Sequence, residues 1–295
     1  MKYSLIVGNY GCGNYGDDLL LKSLLLNLPE EFEYKIMAPG KQYFPLPPAG
    51  LRSLFNFQSW RAISYIYRSN AVFFGGGGLF STYEKLSFLI WGQVLIWSFV
   101  FRKPVFLLGQ SFNSKFGFWQ NLLFKNVTYL SVRDSQSQKF CPLASYSADL
   151  VFALDTSCFK FKKPKDSDFI CISLRDFYKN DPSNLLNFAA YIKLNYLDKK
   201  IPVYFLPFKL IDSKLAKLFG WNLVDQSDIP SYIKFCKKLY AGRLHAMILA
   251  AIFNKPVTIL AYAPKMIGLA YDLSLRPLDL GKKIPPSHFN HSSLA

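Results

Sequence analysis

The sequence has 295 residues, 51% of them hydrophobic and 17% aromatic, and a formal net charge of +16. That length and apolarity exclude a disordered chain and predict two domains of ordinary size. The basic balance asks for an anionic partner and leaves open a nucleic acid, an anionic lipid surface or a phosphorylated small molecule.

Short β-rich runs alternate with helical stretches along the chain. Tyr3–Val7 is predicted as a strand and Leu19–Leu28 as a leucine-rich helix, followed by a strand over Tyr34–Ala38. Lys41–Gln58 reads as a long irregular loop. A third strand, Ala71–Phe74, runs into four consecutive glycines, Gly75 to Gly78. The apolar run Phe88–Phe101 follows; it is shorter than the roughly 20 residues a membrane-spanning helix needs, so we read it as a buried helix. Val105–Leu108 and Thr128–Val132 complete the strands of a first half. The lysine-rich Lys160–Asp168 has no periodicity and reads as a linker, which places the domains at 1–160 and 161–295. The pattern restarts with a strand over Phe169–Leu174, a helix over Leu185–Leu197 and strands over Val203–Leu206 and Lys238–Tyr240. A helix over Leu244–Phe253 and a strand over Val257–Leu260 follow, and the tail after Pro277 carries no strong element. This β-α-β-α order predicts an α/β fold with two Rossmann-like domains facing a central cleft, where ligands bind at the carboxyl ends of the strands.

Cys12, Cys141, Cys158, Cys171 and Cys236 are odd in number and widely spaced. Neither a disulfide framework nor a zinc site fits them, and a reducing, cytoplasmic setting is expected. The N-terminal apolar run is too short for a signal peptide. We expect no nucleic-acid partner, because the lysines are scattered and no aromatic–basic module appears. Peripheral contact with the inner face of an anionic membrane is expected through the basic surface alone.

Three segments carry chemistry. The first strand leads into Gly11-Cys12-Gly13-Asn14-Tyr15-Gly16-Asp17-Asp18. This contains the glycine spacing of a dinucleotide site, but the second strand ends in Ala38-Pro39-Gly40 without the acid that would hold a ribose. What remains is a glycine loop able to meet an anion or a sugar. Asp17 and Asp18 either cap the helix or enter the cleft. In the glycine run, Gly76 and Gly77 allow a substrate close to the backbone and offer N–H groups to phosphate, although a tight turn is the alternative. Finally, Gly242-Arg243-Leu244-His245-Ala246 stands at a predicted helix start, where an anion is favoured. His288 and His291 lie in the tail, so His245 is the one imidazole in the body of the chain. It is either a structural histidine or a proton-transfer group beside an anion-gripping arginine.

In order along the chain, these segments resemble the polysaccharide pyruvyl transferases. GNYGCGNYGDDLLL is similar to that family's opening glycine loop, FFGGGGLF to its second glycine run, and PVFLLGQ to its fourth strand. Val132-Arg133-Asp134 resembles a V-R-D motif and Ala148-Asp149 an A-D-P element. CISLR and YFLPF resemble strands of its second half, and GRLHA and YAPK its last two motifs. The sequence departs from the pattern at Ser111 to Ser114, at Leu150 and at Ala263.

The resemblance implies a GT-B-like architecture and a transferase with phosphoenolpyruvate as donor. The acceptor would be a sugar or lipid-linked glycan of the cell envelope. It implies His245 and Asp17 as the reacting groups. Arg243, Leu244, Arg133, Arg175, Lys265, Asn14, Gly76 and Gly77 would hold the substrates. No carboxylate–histidine cluster asks for a metal, and no cofactor beyond the donor substrate is expected. The alternative within the same architecture is a glycosyltransferase using a nucleotide sugar. A catalytically silent membrane-surface component is a third reading.

Overall fold

The computed structural model describes residues 3–47, 57–80, 85–115, 117–175 and 183–279. The chain divides into two compact units, Met1–Ala153 and Leu154–Ala295. The expected boundary at residue 160 lies inside the second unit, because the lysine-rich segment is packed onto it. Phe159 and Phe161 meet Phe253 edge-on at 5.3 and 5.5 Å, and the Lys162 backbone N–H donates to Ser231 Oγ at 3.0 Å. The end of the first unit, Leu150–Ala153, is a 3-10 turn whose Leu150 carbonyl accepts from the Ser23 hydroxyl.

The first unit is a six-stranded parallel sheet. Its strands are β1 (Tyr3–Val7), β2 (Tyr34–Met37), β3 (Ser69–Phe74), β4 (Val105–Gln110), β5 (Tyr129–Val132) and β6 (Ser145–Tyr146), in the spatial order 2-1-3-4-5-6. The helices are α1 (Tyr15–Asn27), α2 (Phe57–Arg68), α3 (Lys85–Val100), α4 (Phe118–Phe124) and α5 (Ser135–Phe140). β1 is buried at every position, as a central parallel strand covered on both faces must be. α2, α3 and α4 supply Ala62, Ile66, Trp91, Val94, Leu95 and Phe124 to one core with the sheet.

The helix expected at Leu19 already starts at Tyr15. Part of the segment expected to be irregular, residues 48–56, lies outside the described residues, and helix α2 begins at Phe57 inside its expected end.

The second unit is also a six-stranded parallel sheet. It contains β7 (Ile170–Ser173), β8 (Val203–Phe205), β9 (Asn222–Leu223), β10 (Lys238–Ala241), β11 (Val257–Ala261) and β12 (Leu278–Asp279), in the order 12-11-10-7-8-9. α6 (Ser183–Asn195), α7 (Ser213–Phe219), α8 (Ile229–Phe235), α9 (Leu244–Ile252) and α10 (Pro264–Asp272) connect them. The tail therefore begins with an edge strand, β12, paired to β11; residues 280–295, with His288 and His291, lie outside the described residues.

Both strand orders reverse direction once. In the first sheet the reversal falls between β1 and β3; in the second it falls between β7 and β10. At such a point the loops leaving two neighbouring strands run to opposite faces of the sheet, and a crevice opens between them.

Candidate functional site

In the first unit, the loops at the reversal are those following β1 and β3. Tyr10 is wholly buried, and its ring occupies the space beside two glycines. A Cβ at Gly8 would stand 2.3 Å from the ring, and one at Gly75 would stand 1.7 Å from the hydroxyl oxygen. Two glycines thus exist to admit one tyrosine. The Gly75 N–H donates to Val7 O at 2.9 Å and the Gly77 N–H to Gly109 O at 3.3 Å. These two N–H groups extend the sheet, contrary to the expectation that the run offers its N–H groups to phosphate. Gly76 is closed in by Leu20 and the Gly109 carbonyl. Gly77 has φ +117°, a conformation a side chain would strain, and the site of its missing Cβ lies 4.0 Å from Asp17 Oδ1.

Asp17 stands in the first turn of α1. Its Oδ2 accepts from Asn9 Nδ2 at 2.8 Å and from Asn14 Nδ2 at 2.6 Å. Asp18 accepts from the Gly11 N–H at 2.8 Å. Neither acid caps the helix in the usual way: the N-cap position belongs to Asn14, whose side chain makes no cap bond. Asp18 instead closes the glycine loop, and Asp17 is oriented by two amides.

Arg133 differs from its expected place among the donor-binding residues. It is 3% exposed, and its Nη1 meets Asp149 Oδ2 at 2.6 Å while Nε donates to Ser111 Oγ at 2.7 Å. Ser111 in turn donates to Asp134, which also receives the Ser137 N–H and hydroxyl. The guanidinium is spent inside the unit, because its charge and that of Asp149 must neutralise each other out of water. Arg133 ties together the loops after β4, β5 and β6.

In the second unit the reversal lies between β7 and β10. Gly242, following β10, donates its N–H to Ser173 O at 2.5 Å, and a Cβ there would stand 2.9 Å from Leu174. Only a glycine lets these two strand ends approach so closely. The contact brings together the residues that follow each strand, Arg175 after β7 and Arg243 after β10. Arg243 is the N-cap of α9 and is 13% exposed. Asp212, wholly buried beyond β8, accepts from its Nε at 2.9 Å and from Nη2 with both oxygens. That edge of the guanidinium is fixed, and the Nη1 side is aimed by it.

Tyr262 follows β11, and Lys265 opens α10 behind Pro264. Arg175 Nη1 donates to the Tyr262 hydroxyl at 3.4 Å, and its guanidinium lies 5.4 Å from the ring centre. Burial pushes the Tyr262 hydroxyl up, but Lys265, Arg175 and Arg243 outweigh it, so its pKa falls below the usual 10.0. Leu244 is buried and His245 half-buried in the first turn of α9. The Ser173 hydroxyl, buried at the end of β7, has no hydrogen-bond partner among the described residues.

The structure therefore gathers Arg175, Arg243 and Lys265 around Tyr262 in one unit. In the other it gathers Asn14 and Asp17 beside Gly77. The sequence reading missed Asn9, Asp212 and Tyr262. Tyr262 stands in the YAPK element, three positions before Lys265. Asp212 follows a strand at no motif spacing, and only its contact reveals it.

The fold is shared with enzymes of nucleotide-sugar metabolism. The UDP-GlcNAc 2-epimerase of Methanocaldococcus jannaschii superposes with a TM-score of 0.57 at 11% identity, covering 92% of this chain and 87% of that one. The UDP-GlcNAc-bound 2-epimerase of Neisseria meningitidis gives 0.56 at 11% identity, over 98% and 89%. The S. aureus MnaA structure with UDP gives 0.59 at 11% identity, over 98% and 86%. Likeness at this identity establishes a GT-B-like α/β fold and nothing about substrates. No curated protein matches the sequence. The sequence profile of the polysaccharide pyruvyl transferases, in contrast, matches residues 14–264. That span runs from Asn14 to the start of α10 and takes in Asp17, Arg175 and Arg243; the chain belongs to the polysaccharide pyruvyl transferase family.

Proposed function

We propose that the chain transfers the three-carbon unit of phosphoenolpyruvate to two hydroxyls of a cell-envelope sugar. The products are a pyruvate ketal and inorganic phosphate. The observation that supports this most is the convergence of Arg175, Arg243 and Lys265 on Tyr262 where the second sheet reverses. Phosphoenolpyruvate carries a carboxylate and a phosphate, and planar guanidinium groups recognise both with paired hydrogen bonds.

The reaction balances as follows. The methylene carbon gains a proton and becomes the methyl group of the ketal. The central carbon forms bonds to both sugar oxygens and loses its bond to the phosphate oxygen. The two hydroxyl protons leave, one matching the proton taken up by carbon and the other going to phosphate. His245 serves as the proton-transfer group, since an imidazole both gives and takes a proton near neutral pH. Asp17, held by Asn9 and Asn14, orients the acceptor sugar.

Incubation with phosphoenolpyruvate and a panel of sugar acceptors tests this. Phosphate release that depends on acceptor, with a new ketal methyl resonance, is the expected result. Saturable binding of a nucleotide sugar without any turnover of phosphoenolpyruvate would replace the reading with that of a glycosyltransferase.

A further inference from the structure

α2 and α3 pack side by side on one face of the first sheet, and their inward residues belong to its core. Their outward faces are unusual for a protein surface. On α2, Trp60 and Tyr67 are 54% and 63% exposed, and each is followed by an exposed arginine, Arg61 and Arg68. The two aromatic–arginine pairs are seven residues apart, two helical turns, so they stand in one line. On α3, Leu89, Ile96 and Val100 are exposed, two turns and then about one turn apart, on one side of the helix. The helices are joined at their ends, where the Tyr67 ring meets Phe101 edge-on at 5.2 Å and Lys103 Nζ lies 5.7 Å from the Tyr67 ring centre. Arg102, exposed with φ +51°, turns the chain out of α3 beside them.

Charge along this segment has one sign. From Phe57 to Pro104 the sequence contains a single acid, Glu84, against Arg61, Arg68, Lys85, Arg102 and Lys103. α3 is 16 residues long, about 24 Å, and no described helix is long and apolar enough to cross a bilayer. A core helix that merely faced water would have no use for an outward apolar row. A protein partner's surface has no general reason to match Arg61, Arg68, Arg102 and Lys103 together with two exposed aromatic rings. A headgroup layer does: Trp and Tyr rings settle at the polar–apolar boundary, aliphatic side chains dip beneath it, and arginines meet lipid phosphates.

We propose that the outer face of α2 and α3 is a docking surface for an anionic phospholipid membrane, lying flat in the headgroup layer without spanning it. The surface does not depend on the donor proposed above, and it would bring a cytoplasmic-side active site to lipid-borne sugars.

Co-sedimentation with vesicles tests it, using phosphatidylglycerol mixed into phosphatidylcholine against phosphatidylcholine alone. The wild-type chain is expected to bind the anionic vesicles, to leave them in high salt and to ignore the neutral ones. Arg61→Ala with Arg68→Ala should lower the partition coefficient roughly 30-fold, at about fivefold for each arginine. Leu89→Ser with Ile96→Ser should lower it as well, while Lys163→Glu with Lys165→Glu, exposed in the second unit, should lower it much less. Unchanged circular dichroism and thermal unfolding of each variant separate loss of docking from loss of fold. Equal binding of all variants, equal binding to neutral vesicles, or a dimer in solution that the Leu89 and Ile96 changes dissolve would each overturn the proposal.

Discussion

Asp212 accepts from both Nε and Nη2 of Arg243, so that a carboxylate beyond β8 fixes one edge of the arginine that caps α9. Removing one partner of such a pair leaves the other charge desolvated and alone. Asp212→Asn is expected to cost about 3 kcal/mol of stability, the lower end for a buried pair, since Arg243 is partly exposed. Urea unfolding measures it. Arg243→Lys keeps the charge but cannot span two oxygens, and turnover should fall roughly 10²-fold. Near-normal phosphate release by the lysine variant would remove Arg243 from the donor site.

Tyr262 gives a test that needs no substrate. Its folded pKa lies below the unfolded 10.0. A depressed pKa contributes stability that is fully present above the unfolded value and is lost as pH falls through the folded one. The stability difference between the wild-type chain and Tyr262→Phe should therefore grow in favour of wild type as pH rises towards 10. The other buried tyrosines, whose pKa values are raised, act equally in both proteins and cancel. A difference that is flat or shrinks over this range would mean that the three cations do not converge on the phenol.

His245→Ala should lower turnover by roughly 10²–10⁴-fold, the scale of a positioned acid or base. Donor affinity should change far less, because the arginines carry the charge. A variant that folds and keeps full turnover would move the proton to another group, Asp17 first. One that unfolds would make His245 a structural residue.

Gly75 and Tyr10 should behave as a coupled pair. Gly75→Ala places a methyl 1.7 Å from the buried Tyr10 hydroxyl and should cost about 1–3 kcal/mol or more. Tyr10→Phe removes a hydroxyl that has no hydrogen-bond partner among the described residues, so alone it should be close to neutral or stabilising. In the Tyr10→Phe background the alanine then meets ring carbon at 3.0 Å, and its cost should fall. Additive single and double variants in a double-mutant cycle would contradict this packing.

Much of the fold was legible because strands buried on both faces are mostly apolar, as β1, β7 and β11 are, each with a single Ser or Thr. Short helices were not. α7 and α8 span seven residues each, too few for a period of 3.6 to declare itself. The site was legible as an order of motifs and illegible as geometry. Nothing in Val132-Arg133-Asp134 says that the arginine turns inward to Asp149, because residue type gives charge without direction. Asp212 lies 31 positions from Arg243, and no local pattern joins them. The glycine run misleads for a related reason: a glycine marks a place where something comes close, and here part of that something is Tyr10.

The approach of Gly242 to Ser173 has a further consequence, one of scale. It holds the ends of β7 and β10 as true neighbours, and β11 is the next strand over. Neighbouring strands are about 4.8 Å apart, so Arg175, Arg243 and Tyr262 leave the sheet along a front of roughly 10 Å. That span is set by backbone hydrogen bonds, which side-chain substitutions do not stretch. The sheet thus works as a ruler, graduated in strand widths, that sets how far apart the three groups begin.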